Sequence, residues 1–346
     1  MVQSPKEMDY KTAKDAIDFY AKNSLYEAET PSVTFFGGEP MLKYNEIIKP
    51  LVLYIRANYG DYNISITTNG TLLNEEIYEF FKENNVDMLL SLDGMQKIQD
   101  YNRPYHSGKG SFDDIDIKMH LKYYPNGTFR ATIDPDTVKF LYENYLWGEK
   151  EGFKHCSFII NTGGNWTQSK IKTFKSQLDK VAEHIIECKK ENKPFMEYTE
   201  ISKMKKDYEL LENIDKNYFR EQGQNFPACG VCGLGASKFA SIGSSGDIYS
   251  CQEMTENPEH DEFIIGNIYS GMNEQKRMEL VKSFNTKNVK SAKKGRCETC
   301  KLNKVCKGGC IMHNFWENKK IDVMPEILCE AYEYYLEKYR EIREVK

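Results

Sequence analysis

Between residues 9 and 190, short apolar runs alternate with longer stretches of helical period. Asp9 precedes Ala13, Ala16, Ile17 and Tyr20 at helical spacing, which predicts a capped helix. Val33–Phe36 is a short apolar run that stops at Gly37-Gly38. Ile48, Leu51, Val52 and Ile55 then make one face of a second helix. Ile64–Thr68 reads as a strand ending in Asn69-Gly70, and Asn74 with Glu75 and Glu76 opens a third helix. Val86–Leu92 is the next strand, ending in Asp93-Gly94. Ser111 and Asp114 lead a helix that reaches Tyr123, and Phe129–Ile133 is again strand-like. Asp134-Pro135 predicts an N-cap with proline at the first helical position. Val138, Leu141, Tyr142 and Tyr145 give that helix its apolar stripe, and Gly152 ends it. Cys156–Ile160 closes the series before a long helix around Thr167–Lys190.

Strands of this length alternating with helices predict an α/β fold with a parallel sheet. Ligands in such folds sit at the C-terminal ends of strands. Three of those ends carry turn residues here: Gly37-Gly38-Glu39-Pro40, Asn69-Gly70-Thr71 and Ser91-Leu92-Asp93-Gly94. Each taken singly is an ordinary turn. The 346 residues, 40% hydrophobic and 29% charged, suit a globular chain of one large or two modest domains. No apolar run approaches a membrane span and the N-terminus has no signal-peptide core, so a cytoplasmic protein with reduced thiols is expected. A net charge of −5 argues against general nucleic-acid binding.

The candidate chemistry lies in the last third, where eight of the ten cysteines fall between Cys229 and Cys329. Their pattern is Cys229-x2-Cys232, Gly246-x4-Cys251, Cys297-x2-Cys300-x5-Cys306-x3-Cys310, then Cys329. Close cysteine pairs on short loops let several thiolates converge on one soft metal. Eight make two four-thiolate sites, which suits zinc as well as iron–sulfur. Disulfides are the other reading, without a secretory signal to support it. Cys156 and Cys188 stand apart from the pattern.

The cysteine run resembles the SPASM domain that closes many radical S-adenosylmethionine (SAM) enzymes and holds two auxiliary 4Fe–4S clusters. That resemblance assigns Cys229, Cys232, Cys251 and Cys310 to one cluster and Cys297, Cys300, Cys306 and Cys329 to the other. The strand ends, taken in order, resemble the radical SAM core. Gly37, Gly38, Glu39 and Pro40 match the motif that holds the methionyl amine of SAM. Thr68 and Asn69 resemble the ribose-side strand end, and Ser91 and Asp93 the next one. Arg130 is the candidate partner of the SAM carboxylate. The stretch from Asp100 to Phe112 is similar to the post-strand loop of SPASM-bearing peptide maturases.

The implied architecture is a partial (β/α)6 TIM-like barrel without its first strand at 1–190, a bridge at 191–224 and a SPASM domain with a C-terminal helix at 225–346. The implied cofactors are SAM and two auxiliary clusters, with a third cluster in a full-length parent. The implied partners are a peptide or protein substrate and a reduced flavodoxin- or ferredoxin-like electron donor. One departure stands out: a Cys-x3-Cys-x2-Cys loop should precede Gly37, yet the first cysteine is Cys156. A fragment or a misplaced start is the expectation, with no deoxyadenosyl radical chemistry from this polypeptide alone. In anaerobic sulfatase maturases an Asp follows the Gly-x4-Cys cysteine as the base, whereas Gln252 and then Glu253 stand here. That favours thioether or carbon–carbon crosslinking of a ribosomal peptide over formylglycine formation, with Glu253 a surrogate base. A non-catalytic two-cluster scaffold or electron relay is the reading from another class. The helix after Cys329, rich in Glu, Lys and Arg, is expected to lie exposed on the surface.

Overall fold

The computed structural model describes residues 6–23, 31–213, 240–256, 261–283, 296–302, 305–306, 308–320 and 323–345. Cys229, Cys232 and the last part of the expected bridge, 214–224, lie outside them. The chain forms two compact units, one of residues 1–64 and 214–324 and the other of 65–213 and 325–346. The division falls inside a strand, so each unit draws on distant parts of the sequence.

In the first unit, Asp9 accepts the Thr12 N–H at 2.6 Å and caps the helix Tyr10–Lys22, as expected. Strand β1 (Ser32–Phe35) follows, and its neighbour is β2 (Asn63–Thr68), whose Asn63 N–H donates to Pro31 O at 2.8 Å. Between them the chain winds without a break through a tight turn at Pro40–Lys43, a wide turn at Tyr44–Ile48 and the helix Lys49–Tyr59. Its buried stripe holds Ile48, Leu51, Val52 and Ile55, the spacing seen in the sequence.

The second unit is built of βα repeats. β2, β3 (Val86–Leu90), β4 (Thr128–Ile133), β5 (His155–Ile160) and β6 (Glu197–Tyr198) lie in chain order, each beside the next. The β3–β4, β4–β5 and β5–β6 ladders are parallel. Helices join them, and short polar side chains start three: Asn74 accepts the Ile77 N–H, Asp116 the Met119 N–H and Thr167 the Lys170 N–H. Gly152, at φ 106°, ends the helix Leu141–Glu151 in the left-handed conformation.

Period-2 alternation gives the sheet two unlike faces. Leu90, Phe129, Ala131, Ile133, Cys156, Phe158, Ile160 and Tyr198 are buried among the helices in one core. The alternate positions, Ser65, Thr67, Leu89, Thr128, Arg130, Thr132, Ser157 and Ile159, are half-buried and mostly polar.

Three local expectations are corrected. The helix after β4 starts at Leu141, because Asp134 uses its carboxylate on the Asp136 N–H and Val138–Phe140 forms a tighter turn. The helix to Tyr123 is capped by Asp116, while Phe112–Asp114 makes a separate turn. The C-terminal helix Glu326–Glu344 is not simply a surface element, since Ile327, Ala331, Tyr335 and Leu336 are buried against the long helix Gln168–Lys190 and its neighbours. Lys338, only 7% exposed, pairs there with Asp179 at 2.7 Å and Glu341 at 2.9 Å.

Back in the first unit, β7 (Ser241–Ile242), β8 (Asp247–Tyr249), β9 (Ile264–Asn267) and β10 (Gly271–Met272) form an antiparallel sheet in the order β10-β9-β8-β7. Ile248, Ile265 and Ile268 bury Ala16 of the first helix beneath it. A separate apolar cluster joins Tyr249, Met254 and Phe263 to Ile311 and Met312 of the helix Ile311–Asn318.

Candidate functional site

The half-buried face of the parallel sheet carries one transverse row of polar side chains. Leu90 pairs with Phe129 across β3 and β4, so one residue further on Ser91 stands beside Arg130. Arg130 in turn pairs with Ser157 across β4 and β5. Ser91 N–H also donates to Thr68 O at 2.8 Å, which ties the end of β3 to the end of β2. The Arg130 side chain forms no ion pair or hydrogen bond among the described residues. A half-buried guanidinium without a counter-charge is costly to desolvate and offers itself to an anion. Ser157 is held differently: its hydroxyl donates to Glu200 Oε1 at 2.7 Å, and the Phe158 N–H donates to Glu200 Oε2 at 2.9 Å. Since β6 stops at Tyr198, the Glu200 carboxylate takes the place of the next strand residue at the edge of β5. Burial pushes the Glu200 carboxyl above its ordinary value, opposed by the Ser157 and Phe158 hydrogen bonds.

The loop after β3 is locked from within. Asp93, fully buried, takes Arg103 Nε at 2.8 Å, Arg103 Nη2 at 3.3 Å and the Thr132 N–H at 2.6 Å. Its N–H donates to Gln99 Oε1, and its carbonyl accepts Asn144 Nδ2. Asn144 Oδ1 accepts the Met95 N–H at 2.8 Å. Gly94, at φ 104°, passes so close that a Cβ would lie 1.9 Å from Asn144 Oδ1, so only glycine fits. The Asp93 carboxylate is thus turned to Arg103 and Thr132, where it clamps the ends of β3 and β4. Thr68 likewise points to the buried face, with Oγ1 accepting the Gly70 N–H, and Asn69 Oδ1 accepts the Thr71 N–H. Among the expected ligand-binding side chains of this unit, Ser91 and Arg130 share the half-buried face.

In the first unit Gly37 has φ 158°, and a Cβ there would meet nothing within 4 Å, so its backbone opens onto free space. Gly38 is exposed beside it, and Glu39 Oε1 accepts the Met41 N–H at 2.9 Å to start the turn at Pro40. The cysteines divide by burial. Cys251, Cys297, Cys300, Cys306, Cys310 and Cys329 are half-exposed, while Cys156 and Cys188 are buried. Burial pushes the Cys156 thiol well above its ordinary value, so it carries no thiolate. Cys251 and Cys310 pack against the same apolar cluster, and the Gly308 N–H donates to Cys306 Sγ at 3.3 Å. Cys297 lies in the single helical turn Arg296–Thr299 and Cys300 follows it, and Glu253 lies half-buried in the turn after Cys251. Among the described residues no three Cys, His, Asp or Glu side chains gather in metal-ligating geometry.

Residues 5–121 match the profile of the Radical SAM superfamily. A radical SAM domain is thus recognised over the first third of the chain. Over 159 residues it is 44% identical to an uncharacterised protein of Methanocaldococcus jannaschii, a match covering 45% of this chain and 54% of that protein. It is 27% identical to a cysteine-type anaerobic sulfatase-maturating enzyme of Clostridium novyi over 93% of this chain and 84% of that enzyme. Its fold is similar to that of native anSMEcpe with bound AdoMet and Cp18Cys peptide, with a TM-score of 0.71 at 21% identity, over 97% of this chain and 90% of that one.

A radical SAM domain implies a 4Fe–4S cluster and SAM. The donor set suits such groups. Half-exposed thiols, one already receiving a backbone N–H, have the character of cluster ligands, since hydrogen bonds to sulfur tune iron–sulfur centres. Arg130 and Ser91 suit a carboxylate. Gln99, Asn144, Ser157 and Glu200 escaped the sequence reading, while Arg103 fell inside the stretch from Asp100 to Phe112. Asn144 left a trace, as a polar residue on the apolar stripe Leu141, Tyr145, Gly148. No helix among the described residues is long and apolar enough to cross a membrane.

Proposed function

We propose that this chain has the architecture of a radical SAM/SPASM enzyme that modifies a side chain of a ribosomally made peptide, by thioether or carbon–carbon crosslinking. The observation that carries the reading is the row Ser91–Arg130, where a guanidinium without a counter-charge shares the half-buried face with a hydroxyl. Arg130 holds the SAM carboxylate there and Ser91 adds a hydrogen bond to it. Gly37 and Gly38 leave the backbone open for the methionyl amine, with Glu39 as the charge that offsets it. SAM, bound beside its cluster, would supply the radical chemistry, and the residues named here would hold and orient it. The cysteines at 229, 232, 251 and 310, and at 297, 300, 306 and 329, hold two auxiliary clusters in a domain spanning about residues 225–346. The 346 residues contain no Cys-x3-Cys-x2-Cys, so no three-thiolate loop for the SAM-cleaving cluster lies within them. Residues 1–190 make a partial barrel in this reading, and a flavodoxin- or ferredoxin-like donor supplies electrons in the cytoplasm.

The test is anaerobic reconstitution with iron and sulfide, followed by titration with SAM and with 5′-methylthioadenosine, which lacks the amino-acid end. About eight irons per chain, as two 4Fe–4S groups require, and tighter binding of SAM support the reading. Zinc in place of iron, or equal binding of the two nucleosides, sinks it.

Formylglycine formation is the second reading, favoured by the Clostridium novyi relative. It requires Glu253 to do what an Asp directly after the cysteine does, because Gln252 occupies that place. Mass spectrometry of a cysteine-bearing sulfatase peptide after incubation separates the two.

A further inference from the structure

The turn between Cys306 and Cys310 is held by a residue that has no part in the chemistry described so far. Asn314 is fully buried within the helix Ile311–Asn318, beside Ile311 and Met312, although asparagine is a poor helix former. Its Nδ2 donates to Gly308 O at 2.8 Å, outside the helix and two residues before Cys310. Gly308 has φ 89° and Gly309 φ 79°, so two left-handed residues in succession bend the chain there. A Cβ on Gly309 would lie 3.3 Å from Asn314 Oδ1, so the turn passes close over the amide. The same turn directs the Gly308 N–H at Cys306 Sγ, at 3.3 Å. On its other side Cys306 is fixed by its own N–H, which donates to Leu302 O at 2.7 Å. Cys310 is fixed by the helix that follows it, its carbonyl accepting the Asn314 N–H at 2.9 Å.

We propose that Asn314 is a positioning residue for the iron–sulfur ligands. By holding the Gly308 carbonyl it fixes the turn whose N–H reaches the Cys306 sulfur, and so sets the reduction potential of the cluster that Cys306 would hold. The proposal rests on the two-cluster reading given above. An N–H donor favours negative charge on sulfur, so the reduced state gains more from it than the oxidised one. Cys310, which that reading gives to the other cluster, keeps its place through the helix backbone. The effect therefore falls on one cluster of the two.

The experiment is anaerobic reconstitution of the full chain with iron and sulfide, then a reductive titration followed by electron paramagnetic resonance, for wild type and four variants. Asn314→Ala should hold as much iron as wild type, while the reduction equilibrium of one cluster shifts about tenfold toward the oxidised form. That is the worth of one hydrogen bond to a charged group, or about 59 mV for one electron. Asn314→Gln, which keeps the amide donor, should recover most of the shift. Asn318→Ala removes the bond from Asn318 Nδ2 to Val323 O at the end of the same helix and should move neither potential. If wild type holds two clusters and both Asn314→Ala and Asn314→Leu keep its potentials, the Asn314 role is wrong and the two-cluster reading stands. If wild type takes up zinc in place of iron, both fall. Should Asn314→Ala fail to fold, Asn314→Leu, which fills much the same space without a donor, still decides the matter by its potential.

Discussion

The end of β3 and the cysteine-bearing stretch solve the problem of polar groups in opposite ways. Around Asp93 every buried charge and turn has its partner within the polypeptide: Arg103, Thr132, Gln99 and Asn144 close the network. Around Cys251, Cys306 and Cys310 the thiols remain half-exposed, and one of them already accepts a backbone N–H. The first region is complete without a ligand, so side-chain substitutions should read out as stability. In the proposed reading the second is completed by a group the polypeptide does not itself supply, and binding that group would be part of its folding free energy. The difference teaches which measurement suits which region.

The largest expected effect belongs to the cysteines. Cys306→Ala should remove about half of the iron bound after reconstitution, because one of two clusters loses a ligand. Cys156→Ala and Cys188→Ala should remove none, since both thiols are buried and raised in pKa. Iron and sulfide analysis checks this directly. Loss of iron from Cys156→Ala would erase the division by burial.

Next comes the Asp93 clamp. Arg103→Ala leaves a carboxylate that is 1% exposed without its counter-charge. Stranding one member of a buried pair costs about 3–5 kcal/mol, and the lower end applies because the Thr132 N–H remains and Arg103 is 32% exposed. Urea unfolding should show it. Asp93→Asn should cost less, as it leaves no charge buried. Equal stability of wild type and Arg103→Ala would show that the clamp is not closed in solution.

The alternation of strands and helices was legible in the chain because apolar periodicity and caps are local signals. Asp9, Asn74 and Thr167 cap the helices that they precede in sequence. The faces were legible too, since Ile64, Ile66 and the odd positions of β4 alternate with polar residues. What stayed hidden depends on partners brought together only by the fold. Asn144 meets Asp93 across fifty-one positions and Glu200 meets Ser157 across forty-three. β6, two residues long, has no period to detect. Asp93 was read as facing a ligand, because nothing local announces that Arg103 and Thr132 satisfy it.

A third test sharpens the claim that the sheet unit is self-sufficient. His120 is fully buried beside Tyr78, Tyr124 and Phe153, and burial lowers its pKa from 6.5 to about 4. The folded chain therefore binds the proton less well than the unfolded chain does. Its contribution is complete above about pH 6.5 and is lost as the pH falls toward 4. At about 1.36 kcal/mol per pH unit, that loss amounts to about 3 kcal/mol. His120→Phe, of similar shape and without a charge, should flatten that part of the profile; an unchanged profile would place the acid sensitivity elsewhere.

The smallest effect is a single cap. Asn74 Oδ1 accepts the Ile77 N–H at 3.0 Å and relieves one of the unsatisfied donors at the start of the helix Glu75–Glu83. Glu75 and Glu76 in the same first turn already favour that end through the helix dipole. Asn74→Ala should therefore cost only about 1 kcal/mol, and Asn74→Asp should cost almost nothing. The same substitution should leave the iron content untouched, because the helix it frays belongs to the region whose polar groups are paired from within. A fall in iron with Asn74→Ala would mean that the two regions fold as one, and that the contrast between them is thermodynamically false.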